Sequence, residues 1–169
     1  MQRPNPGRYV LSFVAIQTAL FALVLIDHVH EALIVPLTEA LAAVAAALMM
    51  AFDTSVLAQG ILIHNVQTGF AVEIAAGCNG VEPMIMLIAA MIAFPATVRD
   101  KLFGIAIGVL AIQVLNTARI ITLFYIGQRN LEIFEWAHLY LWPAMILIDA
   151  LVVWLLWVRH LQRRKHATA

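Results

Sequence analysis

The sequence predicts an all-α integral membrane helical bundle with about four spanning helices, an outer interfacial or re-entrant helix and a short extracytoplasmic β-hairpin. The 169 residues are 63% hydrophobic and 12% charged, whereas a soluble domain carries about 25% charged residues. Apolar stretches of about 20 residues, the length that crosses a bilayer core as a helix, recur along the chain. The charged residues are segregated by sign, and the net charge of zero gives no indication of nucleic-acid binding.

Five stretches are apolar enough to be considered as spans, at residues 9–26, 33–52, 81–98, 102–126 and 137–158. We interpret the first as a retained anchor, because it is long for a signal peptide and no small-residue cleavage site follows it. No internal repeat divides the chain, so residues 1–169 are expected to form a single domain.

Basic residues determine the expected topology, since cytoplasmic segments are enriched in Lys and Arg. Eight of the ten lie in three clusters: Arg3 with Arg8, Arg99 with Lys101, and Arg159, Arg163, Arg164 and Lys165. Five crossings would put the first two clusters on opposite sides, so one stretch must fail to span. Residues 33–52 are alanine-rich and contain Glu39, so we expect them to be interfacial or re-entrant. Both termini, including the basic tail at 159–169, are then cytoplasmic.

Residues 55–77 differ from the apolar stretches. Phe70, Val72 and Ile74 alternate with Ala71 and Glu73, a period-two pattern typical of a strand. Residues 65–69 form the expected connecting turn. Because open strand edges are not tolerated in hydrocarbon, this hairpin is expected outside the bilayer.

The single cysteine, Cys78, lies in the segment Gly77-Cys78-Asn79-Gly80, directly before the third apolar stretch. A buried inert thiol is the usual fate of a lone cysteine. The alternative is a nucleophile, because a helix N-terminus and a nearby cation lower the pKa of a thiol.

Arg119 lies within an apolar helix, where a guanidinium costs roughly 2.5–3.5 kcal/mol on insertion scales. It could reach the interface, pair with Glu82 or Glu135, or hold an anion, a carbonyl oxygen or a thiolate. Asn116 shares its helix face and could orient it. His138 begins the last apolar stretch at the same expected depth, and is a candidate acid and base.

Other polar residues carry weaker signals. Residues 27–31 hold metal-ligand types, but their spacing matches no strong template. Asp149 lies in the middle of the last apolar stretch, where it could be neutral or hydrogen-bonded. Trp136 marks the outer interface of that stretch. We predict neither a metal nor an organic cofactor.

The segment Val72-Glu73-Ile74-Ala75-Ala76-Gly77-Cys78-Asn79-Gly80-Val81-Glu82 resembles the cysteine motif of the exosortase/archaeosortase family. An Asn-x-x-Arg-Ile segment from Asn116 and a histidine heading the following helix, His138, resemble its later motifs. The resemblance covers roughly residues 33–157, and the small size resembles the compact exosortase H type. Asn79 stands where many members carry serine.

The resemblance implies a membrane-embedded cysteine protease or transpeptidase of the cell inner membrane, with its active site facing the periplasm or outside. Its partner would be the C-terminal sorting tail of secreted proteins: a short motif, a transmembrane helix and a basic cluster. Cys78, Arg119 and His138 would be catalytic, with Asn79, Glu82, Asn116 and Trp136 in substrate-binding or supporting roles. A thioester intermediate would pass to an acceptor that the sequence does not identify. The alternatives are a hydrolytic membrane protease and a non-enzymatic assembly or transport subunit.

Overall fold

The computed structural model describes residues 6–167, with side chains for residues 6–164, so Arg3 and the end of the basic tail lie outside the described residues. The protein is mostly helical with a small three-stranded antiparallel sheet, which confirms the predicted fold class. The helices are α1 (Pro6–Val24), α2 (Asp27–Val29), α3 (Val35–Met50), α4 (Val81–Ala93), α5 (Val98–Arg129), α6 (Leu131–Trp136) and α7 (Trp142–Ala167). The strands are β1 (Val56–Gln59), β2 (Leu62–Asn65) and β3 (Ala71–Glu73).

Two π-helical turns make longer continuous helices from these pieces. His30–Ile34 joins α2 to α3, and Ala137–Leu141 joins α6 to α7. In the described part of the chain, four helices are long and apolar enough to cross a membrane: Pro6–Val24, Asp27–Met50, Val98–Arg129 and Leu131–Arg164. The predicted number is therefore confirmed, although length and composition select residues 27–50 in place of the predicted stretch 81–98.

Helix α4 is shorter than predicted, because it has 13 residues and ends at Ala93. Phe94 has extended backbone angles. A residue that precedes a proline, here Pro95, is driven out of the helical region by steric clash. Residues 33–52, by contrast, are helical through Pro36, since the proline falls in the first turn of α3, where its missing N–H does little harm.

Four helices pack into a bundle in which α4 contacts α1, α5 and α7, and α5 contacts α7. Its core includes Leu87, Met91 and Ile112. Gly108 allows α5 to approach its neighbours closely, since a side chain there would collide with Leu87. Helix α4 therefore lies in the centre of this bundle.

A second unit consists of α3, the sheet and the C-terminal half of α5, and we call it the outer unit. Alanines of α3 are buried against the sheet, and Ile63 and Phe124 lie in the same core. Small side chains let the helix approach the strands, and α3 packs mainly against the sheet and α5.

The sheet has the order β1-β2-β3. Strands β2 and β3 are antiparallel with Ile63 opposite Val72, and the predicted turn is present, with the Asn65 carboxamide accepting from the backbone N–H groups of Gln67 and Thr68. The predicted hairpin gains an additional strand, β1, which pairs with β2. Its sequence, Val-Leu-Ala-Gln, lacks the apolar and polar alternation that predicts a strand.

The two ends of the structure differ in their charged groups. At the end where α5 begins, Arg164 of α7 forms an ion pair with Asp100 at 2.9 Å, and the Lys101 ammonium donates to the carbonyl oxygen of Ile92 on α4. The other end carries the sheet and Asp53. The carboxyl of Asp53 has a lowered pKa because it accepts hydrogen bonds from the hydroxyl and N–H of Ser55.

Candidate active site at the junction of bundle and outer unit

Cys78 lies in the loop that leads from β3 to α4, and backbone geometry holds it there. Its N–H donates to the carbonyl oxygen of Ala75 at 3.0 Å. Its own carbonyl oxygen accepts from the Asn116 carboxamide at 3.1 Å. Gly77 and Gly80 have φ values of 84° and 77°, which residues other than glycine rarely adopt. The two glycines therefore give Cys78 its position between the sheet and α5.

Arg119 projects from α5 onto this loop and is 5% exposed. Its guanidinium donates to the carbonyl oxygen of Gly77 at 3.2 Å and to the sulfur of Cys78 at 3.5 Å. Among the described residues no carboxylate lies within ion-pair distance of it, and its buried Nε has no hydrogen-bond partner. The possible pairs with Glu82 and Glu135 are not formed, so a buried cation with donor capacity faces the thiol.

His138 approaches the same sulfur from the π-helical turn between α6 and α7. Its Nε2 lies 3.9 Å from the sulfur of Cys78. Its ring stacks on that of Phe134, with centroids 5.6 Å apart and planes 4° apart. The Nδ1 atom is buried and, in the part of the chain that the structure describes, has no partner. Ring stacking, and not a carboxylate, thus orients this imidazole.

The expected lowering of the Cys78 pKa is wrong. Burial raises the pKa of the thiol most strongly, the Arg119 charge lowers it, and the Glu82 charge raises it, with a net increase. Desolvation disfavours the thiolate, and here it outweighs the nearby cation. The resting cysteine is therefore a neutral thiol that needs a base.

Of the four residues predicted to support the site, Asn79, Asn116 and Glu82 lie near Cys78, and Trp136 does not line its cleft. Asn79 accepts from the N–H of Val81 at the start of α4 and donates to the hydroxyl of Thr38, while Asn116 binds the Cys78 carbonyl. Glu82 lies close enough to affect the thiol and has a buried oxygen without a partner in the described structure. Trp136 is 56% exposed and does not line the cleft that contains Cys78.

Sequence reasoning missed three residues of this region. The Gln113 carboxamide donates to the carbonyl oxygen of Asn79 at 3.1 Å, and Thr38 links α3 to the same loop. Phe134 stacks on His138. Gln113 was detectable, since it is polar, lies in an apolar helix and precedes Asn116 by three residues, which puts both on one face. Thr38 is distant in sequence and left no such signal.

The cluster opens into a cleft of about 400 Å³ between β3, the C-terminal half of α5 and α6, a size typical of ligand pockets. Residues 70–76 of the strand and its flanks form one wall. The other wall is mainly apolar and consists of Ile120, Leu123, Leu131 and Phe134, with Arg119 and His138 at the same end as Cys78. Within the described residues no group of three or more His, Cys, Asp or Glu side chains could hold a metal ion.

Fold and site together define a multi-pass membrane protein with a thiol, a guanidinium and an imidazole gathered beside a peptide-sized cleft. The family model for transmembrane exosortases matches residues 7–154. The chain therefore belongs to the exosortase family, as the resemblance predicted. No significant match was found among curated proteins or among solved structures.

Proposed function

We propose that this protein is a cysteine transpeptidase that cleaves the C-terminal sorting tails of secreted proteins and transfers the new C-terminus to an acceptor. One observation carries the proposal: a buried guanidinium, which has no carboxylate partner in the part of the chain that the structure describes, and an imidazole both lie against the sulfur of the single cysteine, in an open cleft. Neither an inert core thiol nor a structural arginine requires that arrangement. Membership of the exosortase family supports it.

The chemistry follows from the protonation state of the resting site. The thiol proton of Cys78 passes to Nε2 of His138 as the sulfur attacks the carbonyl carbon of the scissile peptide. Arg119, already directed at the sulfur, stabilises the oxyanion of the tetrahedral intermediate. When the C–N bond breaks, His138 returns the proton to the leaving amine, and a thioester remains on Cys78.

The second half of the reaction uses the same groups in reverse. An acceptor nucleophile, such as an amine, attacks the thioester carbonyl and loses its proton to His138. The C–S bond breaks, the thiolate leaves beside the Arg119 guanidinium, and His138 reprotonates it. Because the neutral thiol is favoured at rest, the cysteine gains reactivity only when a carbonyl and the base are both in place.

The bundle supports a specific membrane placement. We propose that α1, α4, the first half of α5 and α7 span the cell inner membrane, with both termini cytoplasmic. Lys101, Arg164 and the other described residues of the three basic clusters then lie inside, in agreement with the charge rule. The sheet and α3 lie outside, so Cys78 faces the periplasm or external medium at the outer end of the bundle.

A groove on the lipid-facing surface suits the transmembrane helix of the substrate. Two adjoining apolar cavities lie between α1 and α7 over α4 and share Met86 and Leu147. The groove reaches Tyr9 and Trp154 at one end and Arg119 at the other. A helix seated there would bring the preceding motif directly to the depth of Cys78.

The decisive experiment pairs the protein with secreted proteins from the same cell that carry a motif, an apolar helix and a basic end. We expect Cys78→Ala to abolish tail cleavage at an unchanged protein level in the membrane. His30→Ala, which changes a histidine outside the cleft, serves as the control with wild-type cleavage. Cleavage retained by Cys78→Ala would favour a non-enzymatic subunit. Mass spectrometry of the product separates the rivals, since a free carboxylate indicates hydrolysis and a conjugate indicates transfer.

A further inference from the structure

Strand β3 is an edge strand, and its hydrogen-bonding pattern identifies the groups that remain free. Within residues 6–167, the sheet order leaves one side of β3 without a neighbouring strand. Asn65 N–H donates to the carbonyl of Phe70, and Ile74 N–H to that of Ile61, so Phe70, Val72 and Ile74 are directed at β2. In an antiparallel ladder this direction alternates. The backbone groups of Ala71 and Glu73 therefore point away from the sheet, and among them the Glu73 carbonyl oxygen accepts from the N–H of Ala75 at 3.2 Å.

This free edge borders the active-site cleft. The cleft is lined by every residue from Phe70 to Ala76 and by Cys78 just beyond them. The strand itself has three residues, Ala71–Glu73, and measures about 10 Å. A strand edge with N–H and C=O groups directed away from the sheet readily pairs with another chain. Here the apolar wall opposite leaves a slot between the edge and the helices.

We infer that the substrate segment preceding the scissile bond binds in extended form as a fourth strand along β3, with its backbone paired to Ala71 and to the N–H of Glu73. The inference rests on the proposed function and names how the same site recognises its substrate. Strand addition of this kind provides affinity through the main chain and specificity through alternate side chains.

The direction of the added strand follows from the position of β3. Near the start of the strand, Phe70 would collide with any side chain at Gly127, close to the end of α5. After its other end the loop reaches Cys78, beside Arg119. Strand β3 thus runs from the outer tip toward the membrane. A sorting tail also runs toward the membrane as it approaches its transmembrane helix, so it pairs parallel to β3.

The apolar wall predicts the pattern of the motif. Successive side chains of a strand point to opposite faces. Every second residue before the scissile bond therefore faces Leu123, Leu131 and Phe134. We expect apolar residues at alternate positions there, and polar residues between them.

Two proline substitutions test the backbone pairing. Ala71→Pro removes an outward N–H from the cleft edge, at a site where an edge strand tolerates proline. Ala58→Pro is the matched control at the opposite edge of the sheet. The carbonyl oxygen of Ser55 accepts from the N–H of Val66, so Ser55 is directed at β2. Because the direction alternates along the strand, the N–H of Ala58 points away from the sheet. Loss of one hydrogen bond predicts about a tenfold lower cleavage rate for Ala71→Pro. Alkylation of Cys78 by iodoacetamide checks that each variant keeps its site. Equal rates for Ala71→Pro and the wild type would overturn the inference.

A scan on the substrate side does not depend on the folding of any variant. Single backbone amides of a synthetic tail peptide, taken from a protein that wild-type enzyme cleaves, are replaced by esters. We expect cleavage to fall at every second position before the scissile bond. A flat profile, or losses without alternation, contradicts strand pairing. Failure of the proposed function is recognised separately, because Cys78→Ala would then cleave the unmodified peptide.

Discussion

The two halves of α5 belong to the same helix and have opposite surroundings. Between Val98 and Val114 six large apolar side chains are exposed, whereas between residues 115 and 129 only Thr122 and Arg129 are exposed, and neither is apolar. The helix has 32 residues and is therefore about 48 Å long, well beyond a hydrocarbon core of about 30 Å. The first half is suited to lipid, and the second packs against the sheet and α3.

This difference explains where the polar cluster lies. In lipid, every backbone polar group must be hydrogen-bonded within the protein. The bundle therefore has few backbone groups that could pair with a peptide. In the outer unit a strand edge and a loop with free polar groups are tolerated. Asn116 and Arg119 lie where one environment changes to the other. A cation there is shielded from bulk water, which strengthens its interaction with a developing anion.

The largest effect is expected from Arg119→Lys. The positive charge remains but the planar, forked donor set is lost. Removal of one oxyanion donor typically lowers turnover by about 10²–10³-fold, and we expect a loss of that size in tail cleavage. Arg129→Lys, on the exposed last turn of α5, is the control. Wild-type turnover in Arg119→Lys would show that guanidinium geometry is irrelevant.

A carboxylate placed on each half of α5 tests whether the two halves differ in their exposure to lipid. Ile107 is exposed in the first half and Thr122 in the second. Ile107→Asp should cost roughly 2.5–3.5 kcal/mol of insertion free energy and lower the amount of protein in the membrane. Thr122→Asp should leave that amount near the wild-type value. Similar levels for both variants would mean that the halves do not differ in their exposure to lipid.

The role of the bundle in substrate binding is tested at its surface. Leu151 lines the groove between α1 and α7 and is 55% exposed, and Leu156 is 57% exposed but lies outside the groove. Leu151→Trp fills the groove and should reduce cleavage about tenfold, equivalent to about 1.4 kcal/mol of binding free energy. Leu156→Trp should retain wild-type cleavage. If the two variants are equal, the substrate helix binds elsewhere.

The smallest effect is expected for Glu82→Gln, which sharpens the electrostatic description of the junction. The Glu82 charge raises the pKa of the Cys78 thiol, so its removal should lower that pKa and increase the thiolate fraction at a given pH. The rate of Cys78 alkylation should then rise at a lower pH than in the wild type. Glu73→Gln removes a carboxylate that lines the cleft, but its charge is not among those that shift the pKa of the thiol, so this variant should leave the profile unchanged. An unshifted profile for Glu82→Gln refutes the coupling.

Local signals were sufficient for much of the fold. The turn before β3 was predictable because Asn65 makes its hydrogen bonds within the next few residues. The lengths of α4 and α3 were not predictable in this way, since Pro95 ends α4 whereas Pro36 is accommodated in the first turn of α3. Apolarity alone does not distinguish these cases.

The sequence by itself determined that this protein lies in a membrane, and it identified Cys78, Arg119 and His138 as its unusual polar residues. Composition and residue type contain that information without any contact between distant segments. Only the tertiary structure decided that the Arg119 guanidinium and the His138 imidazole both lie against the sulfur of Cys78, and that the pKa of the thiol is raised. Both depend on how α5, the β3–α4 loop and the α6–α7 turn pack together, because the balance between desolvation and a neighbouring charge changes within a few ångströms.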